Sequence, residues 1–122
     1  MGRLVIEKIK AEQLPCEVLA IGTNAIATSA MMKAGAAKGA TGENAMLVAC
    51  RTADVIIGPI GILAADALLG EITPNMAKAV GQSRAKKLLL PVNLCDNIVV
   101  GVRDLTLSKL VTETIELLQS MQ

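Results

Sequence analysis

Two stretches of the chain decide its fold: Glu17-Val18-Leu19-Ala20-Ile21-Gly22-Thr23-Asn24 and Asp54-Val55-Ile56-Ile57-Gly58-Pro59-Ile60-Gly61. In each stretch a short apolar run stops at small residues, and an alanine-rich helical pattern then resumes. Strands that lead into helices in this way form open α/β sheets, whose ligands bind at the carboxyl ends of the strands. The two junctions therefore predict a binding site, but they do not identify a reaction.

Length and charge limit the possible classes of protein. The 122 residues, 52% of them hydrophobic, suit a single domain over residues 1–122. Twelve basic residues against eleven acidic ones give a net charge of +1, so we expect no nucleic-acid partner and no membrane surface. The apolar stretch 55–65 is too short to span a bilayer, and charged residues near the start exclude a signal peptide. We expect a cytoplasmic protein.

Several kinds of chemistry are excluded by composition. The chain has no His, Phe, Tyr or Trp, which excludes imidazole catalysis, His-ligated metals and stacking of bases on aromatic rings. Cys16, Cys50 and Cys95 are odd in number and widely spaced, so we expect buried reduced thiols, with a redox role as the alternative, and no zinc site. The chain also lacks the nucleophile-elbow and phosphate-loop motifs of hydrolases and kinases.

The pattern of apolar residues predicts alternating helices and strands. We expect helices over residues 4–14, 25–34, 43–51, 61–69, 74–83 and 106–119, with the fourth buried nearly all round. Strands are expected over residues 16–21, 54–57, 86–92 and 97–102, and residues 36–42 read as a glycine-rich loop. Short apolar strands separated by helices predict a mostly parallel, doubly wound α/β sheet.

The start of the chain is unusual, because a helix begins almost at once and Gly2 lies just ahead of it. Most α/β domains open with a strand. This start fits a chain that lacks its first strand and most of a glycine-rich turn, and it equally fits an ordinary amino terminus.

Specific motifs lie at residues 21–31, 39–45, 56–62 and 69–74 and at Pro91-Val92-Asn93. In these motifs the chain resembles a family of small bacterial proteins known as domain of unknown function 3842. The resemblance implies a Rossmann-like fold, and members of the family begin with an additional strand and a turn similar to a dinucleotide-binding fingerprint. The family has no established activity, so the cofactor stays unknown. Because that segment would precede Met1, the resemblance implies that any binding of NAD(P) or another nucleotide belongs to a longer form.

The candidate ligand-binding residues are small or polar and lie at strand ends and helix starts. Thr and Asn side chains can hydrogen-bond hydroxyl or phosphate groups, and glycines let a ligand approach the backbone. The same residues also serve as turns and helix caps, so a purely structural role stays open. The candidates are Gly22, Thr23, Asn24, Thr41, Gly42, Gly58, Pro59, Gly61 and Asn93.

Three hypotheses about function follow. The first is a module that binds a nucleotide or a small phosphorylated metabolite. The second is an enzyme, NAD(P)-dependent or of another kind, in which Asp66 or Glu43 acts as acid or base, since a carboxylate inside an apolar helix needs a partner or a raised pKa. The third is a structural or assembly subunit without a ligand. The apolar excess also favours a homodimer.

Overall fold

The structure, a computed structural model, describes residues 1–92, 94 and 96–122. In chain order the elements are α1 (Gly2–Ala11), β1 (Leu19–Gly22), α2 (Ala25–Lys33), β2 (Lys38–Thr41), α3 (Glu43–Cys50), β3 (Val55–Pro59), a 3-10 helix (Ile60–Leu63), α4 (Pro74–Gln82), β4 (Lys86–Leu90) and α5 (Leu107–Ser120). Both strand pairs are parallel, and helices connect the paired strands. The fold is therefore mixed α/β, as predicted, and is consistent with a Rossmann-like arrangement.

The chain divides into two compact units. Unit 1 comprises residues 1–41 and 104–122, and unit 2 comprises residues 42–103. Each unit has its own two-stranded sheet, where the sequence predicted one sheet. That residues 1–122 form a single domain stays a prediction.

In unit 1, β1 pairs with β2 from Leu19 opposite Lys38 to Gly22 opposite Thr41. Helix α1 contacts both α2 and α5, because its residues at helical spacing, Val5, Ile6 and Ile9, are all buried. Helix α5 buries a matching apolar face made of Leu110, Val111, Ile115 and Leu118.

In unit 2, β3 pairs with β4 from Val55 opposite Lys86 to Pro59 opposite Leu90. Helix α3 contacts α4, which also contacts the 3-10 helix. The start of α4 is fixed by sequence, since the hydroxyl of Thr73 accepts a hydrogen bond from the Met76 amide and Pro74 follows at the first helical position. Ile72, Met76, Val80 and Leu90 are fully buried in this unit.

Strand β2 lies where the sequence predicted a loop. Its residues, Lys38-Gly39-Ala40-Thr41, contain no apolar run, so the strand is defined by its backbone pairing with β1. A side chain at Gly39 would meet the Met32 sulfur at 2.6 Å. Glycine there lets α2 lie close to the strand.

Two other predicted elements are wrong. Residues 61–69 do not form an α-helix, because Asp66, Leu68 and Leu69 have positive φ angles, which a right-handed helix does not admit. The segment is not buried all round either, since Leu69 is fully exposed. Residues 97–102 form no strand. Turn hydrogen bonds, from the Asn97 amide to the Leu94 carbonyl and from Val102 to Val99, replace the predicted pairing.

Within the described residues, no helix combines the length and the hydropathy that crossing a bilayer requires.

Candidate functional site

Polar residues gather at the carboxyl ends of β1 and β2 in unit 1. We call this group the threonine cluster: Gly22, Thr23, Asn24, Thr28 and Thr41. Asn24 caps α2, because its Oδ1 accepts a hydrogen bond of 2.9 Å from the Ala27 amide. Its backbone carbonyl accepts a second bond, of 3.1 Å, from the Thr28 amide. The sequence predicted this cap, and it holds the amino end of α2 beside the two strand ends.

Thr28 joins the cap to the strands. Its hydroxyl lies 2.7 Å from that of Thr41, 3.2 Å from the Asn24 carbonyl oxygen and 3.4 Å from that of Ala40. A hydroxyl has one proton and carbonyls only accept, so Thr28 either donates to a carbonyl and accepts from Thr41, or donates to Thr41. The remaining lone pairs of Thr41, an exposed residue, are acceptors for a group arriving from solvent.

Gly22 is explained by packing. A Cβ atom there would lie 2.7 Å from the Thr28 nitrogen and 2.9 Å from the Asn24 carbonyl oxygen. Both are backbone atoms of the α2 cap and its first turn, so they cannot move aside. Glycine is therefore needed for the helix to start so close to the end of β1.

The second glycine junction differs from the first. Gly58 is buried in β3, and a Cβ atom there would lie 2.9 Å from Cδ1 of Ile62. Pro59 ends the strand, and Gly61 is buried in the single 3-10 turn that follows. The expected α-helix start is absent there, so ligand binding at Gly58, Pro59 and Gly61 stays a prediction without that support. Asn93 lies outside the described residues.

Glu43 links two helix starts in unit 2. It lies in the first turn of α3, after Gly42, whose φ of 96° strongly favours glycine. The Thr73 hydroxyl donates a short hydrogen bond to Glu43 Oε1 while it accepts from the Met76 amide at 3.2 Å. Glu43 therefore has a structural partner, and its place near the start of α3 suits its negative charge.

Asp66 is not the buried helical carboxylate that the sequence suggested. It is exposed, has a φ of 67° and lies in the turns between the 3-10 helix and α4. Its amide donates to the Ile72 carbonyl at 2.7 Å. Asp66 thus shapes a turn, and its environment gives no reason for acid or base chemistry.

A comparison with family models finds a match over the whole chain. The model described as "Domain of unknown function (DUF3842)" matches residues 1–122. The chain belongs to this family. Neither the curated proteins nor the solved structures include a match to this DUF3842 chain.

Two residues in the polar contacts of this DUF3842 protein, Thr28 and Thr73, were not among the candidates from the sequence. Thr28 lies four positions after the Asn24 cap, so it projects from the same helix face. That spacing was the available signal. Thr73 was identified only as a cap, because its contact with Glu43, thirty residues away, leaves no local pattern.

Proposed function

We propose that the chain is a binding module for a nucleotide or a small phosphorylated metabolite, held at the threonine cluster. The observation that carries the proposal is the start of α2, where unpaired backbone amides lie beside a hydroxyl network at two strand ends.

The amino end of α2 suits a phosphate group. Asn24 occupies the amides of Ala27 and Thr28. In the described residues the amides of Ala25 and Ile26 have no partner, and both residues are exposed. The first turn of α2 contains no acidic residue, so its positive end is not neutralised. Phosphate groups bind at helix starts to unpaired backbone amides of this kind, where the helix dipole also favours negative charge.

The Thr41 hydroxyl suits the sugar part of the ligand. Whichever of Thr28 and Thr41 donates in the bond between them, the Thr41 oxygen keeps a lone pair that can accept a hydrogen bond. A ribose or sugar hydroxyl supplies the matching donor. No aromatic residue exists to stack on a base, so hydroxyl and phosphate groups dominate recognition. An affinity in the micromolar range, about 8 kcal/mol, is expected.

The test is a calorimetric and thermal-shift screen of the chain against NAD(P), adenosine phosphates and sugar phosphates. Thr41→Val keeps the shape of the side chain but removes the acceptor. We expect its Kd to rise about tenfold, or about 1.4 kcal/mol. The control is Thr112→Val, which removes an exposed hydroxyl that donates to the Ser108 carbonyl of α5. This variant should bind the ligand as the unsubstituted chain does.

Two results would overturn the proposal. One is that no compound in the screen stabilises the chain at millimolar concentration. The other is that binding is unchanged in Thr41→Val. In either case the threonine cluster is a structural cap, and the assembly-subunit hypothesis takes its place.

We also propose a cytoplasmic bacterial protein that forms homodimers. The family resemblance supports the source, and the balanced charge supports the compartment. The dimer is supported by exposed apolar residues such as Ile26, Ile98 and Val100.

A further inference from the structure

A groove of about 330 Å³ lies between α3 and α4 in unit 2. We call it the α3–α4 groove. Its α4 wall carries Asn75, Lys78 and Gln82, and its α3 wall ends at Arg51. Cys50 and Ser83 also line it. The volume is at the small end of the range for ligand sites, so the groove can hold a metabolite of modest size.

The charge of the groove has one sign. Arg51 and Lys78 are cationic, and no carboxylate is among its described lining residues. Neither cation makes a side-chain hydrogen bond or an ion pair within the described part of the chain. In a chain with nearly equal numbers of acids and bases, two unpaired cations along one groove form a local positive field.

A third positive charge lies close by. Nζ of Lys87 donates to the Ser83 carbonyl at 2.7 Å, and the Ser83 hydroxyl donates to the Cys50 carbonyl at 2.7 Å. Burial raises the pKa of the Cys50 thiol, and the charge of Lys87 lowers it by a smaller amount. The positive charge of Lys87 therefore acts on Cys50, which lines the groove.

The polar groups of α4 are spaced along one face. Asn75, Lys78 and Gln82 lie at positions i, i+3 and i+7, which share a helix face and span about 10 Å at a rise of about 1.5 Å per residue. The helix dipole of α3 explains a cation at Arg51, near its carboxyl end. It does not explain Lys78 in the middle of α4, with an amide on either side.

We propose that the α3–α4 groove binds a small organic phosphate, with Arg51 and Lys78 on the phosphate and the amides of Asn75 and Gln82 on the rest of the molecule. A guanidinium forks onto two phosphate oxygens and an ammonium adds a point charge. The two negative charges of a phosphate dianion equal the two positive charges of the groove. This site is separate from the threonine cluster and does not depend on the function proposed there.

The experiment is calorimetric titration of the chain with glycerol 3-phosphate and fructose 1,6-bisphosphate, with succinate as a dianion that lacks phosphate. The groove variant is Arg51→Gln with Lys78→Gln. Its control, Arg84→Gln with Lys86→Gln, removes the same charge from exposed residues of unit 2 outside the groove lining. We expect the groove variant to raise Kd at least tenfold and the control less than twofold, with succinate binding weaker than either phosphate.

Cys50 supplies a local readout. Bound phosphate should slow the reaction of Cys50 with a thiol reagent at least threefold and leave exposed Cys16 unchanged, as measured by mass spectrometry. Equal loss of affinity in both double variants, equal protection of both cysteines, or no binding at 10 mM phosphate ester would overturn the proposal. Thr41→Val should leave the protection of Cys50 by phosphate intact, which separates the failure of this proposal from that of the threonine cluster.

Discussion

Glycine at position 22 is required by close contact, and glycine at position 81 is not. Gly22→Ala places a methyl group against two backbone atoms, and we expect a loss of about 1–3 kcal/mol in the free energy of unfolding. Gly81→Ala, on the exposed side of α4 with open space around it, should gain about 0.5–1 kcal/mol. Urea denaturation measures both. A Gly22→Ala protein as stable as Gly81→Ala would show that the α2 start can move.

Thr73 holds two helix starts together through one hydroxyl. Thr73→Val removes the α4 cap and leaves Glu43 without its donor, so we expect a loss of about 1–2 kcal/mol by urea denaturation. Thr106→Val is the matched control, because Thr106 caps α5 at 3.3 Å without a bond to another helix. If the two substitutions cost the same, the link to Glu43 contributes nothing.

The buried thiol of Cys50 makes stability depend on alkaline pH. Burial raises its pKa despite Lys87, so the folded state disfavours the thiolate. Below the ordinary thiol pKa, about 8.5, the buried thiol of Cys50 contributes fully to the free energy of unfolding. This contribution is lost as the pH rises above that value toward the raised pKa of Cys50. Urea denaturation from pH 7 to pH 10 should therefore show a shallower decline in Cys50→Ala than in the unsubstituted chain. Cys16→Ala, at an exposed position, should decline as the unsubstituted chain does.

The packing of helix α5 in unit 1 depends on its apolar face. Ile115 is 2% exposed and Leu117 is 55% exposed, although both are large apolar residues two positions apart. Ile115→Ala should cost about 2–5 kcal/mol through the cavity it leaves, and Leu117→Ala should cost well under 1 kcal/mol. Thermal and urea unfolding of the pair measure this contrast. Similar losses would place the buried face of α5 elsewhere.

Elements with a strong local signal could be predicted from the sequence. The Thr73-Pro74 start, the Asn24 cap and the apolar face of α5 depend on neighbouring residues, and all three are confirmed. Strand β2 could not be predicted, because its side chains are small or polar and its partner is nineteen residues away, as in Leu19 opposite Lys38. The helix predicted over residues 61–69 is wrong, because apolar content alone does not reveal the left-handed backbone conformations in this segment.

The candidate site was predicted in part for the same reason. Gly22 and Asn24 follow a predicted strand and precede a predicted helix, whereas Thr41 is a candidate only as part of a predicted glycine-rich loop before a helix. The contact between Thr28 and Thr41 depends on the register of β1 and β2, which the sequence does not fix. Whether Thr23 and Gly42 contact a ligand stays a prediction.

For the whole molecule, open sheet edges are the main liability. Among the described residues β1 pairs only with β2, and β3 only with β4, so each sheet has backbone groups available for a further strand. We expect the chain to self-associate in analytical ultracentrifugation. A monomer at every concentration tested would contradict the expectation.

Unit 1 is built from two separate stretches of the chain, which the ribosome synthesises at different times. Residues 42–103 form unit 2 from one continuous stretch, whereas residues 1–41 share their unit with residues 104–122. On a ribosome that adds about 5–20 residues per second, the apolar face of α1 waits roughly 5 to 19 s for α5 to begin. The nascent chain is thus expected to carry a completed inner unit and an exposed first helix, a form that chaperones which recognise apolar helices would bind.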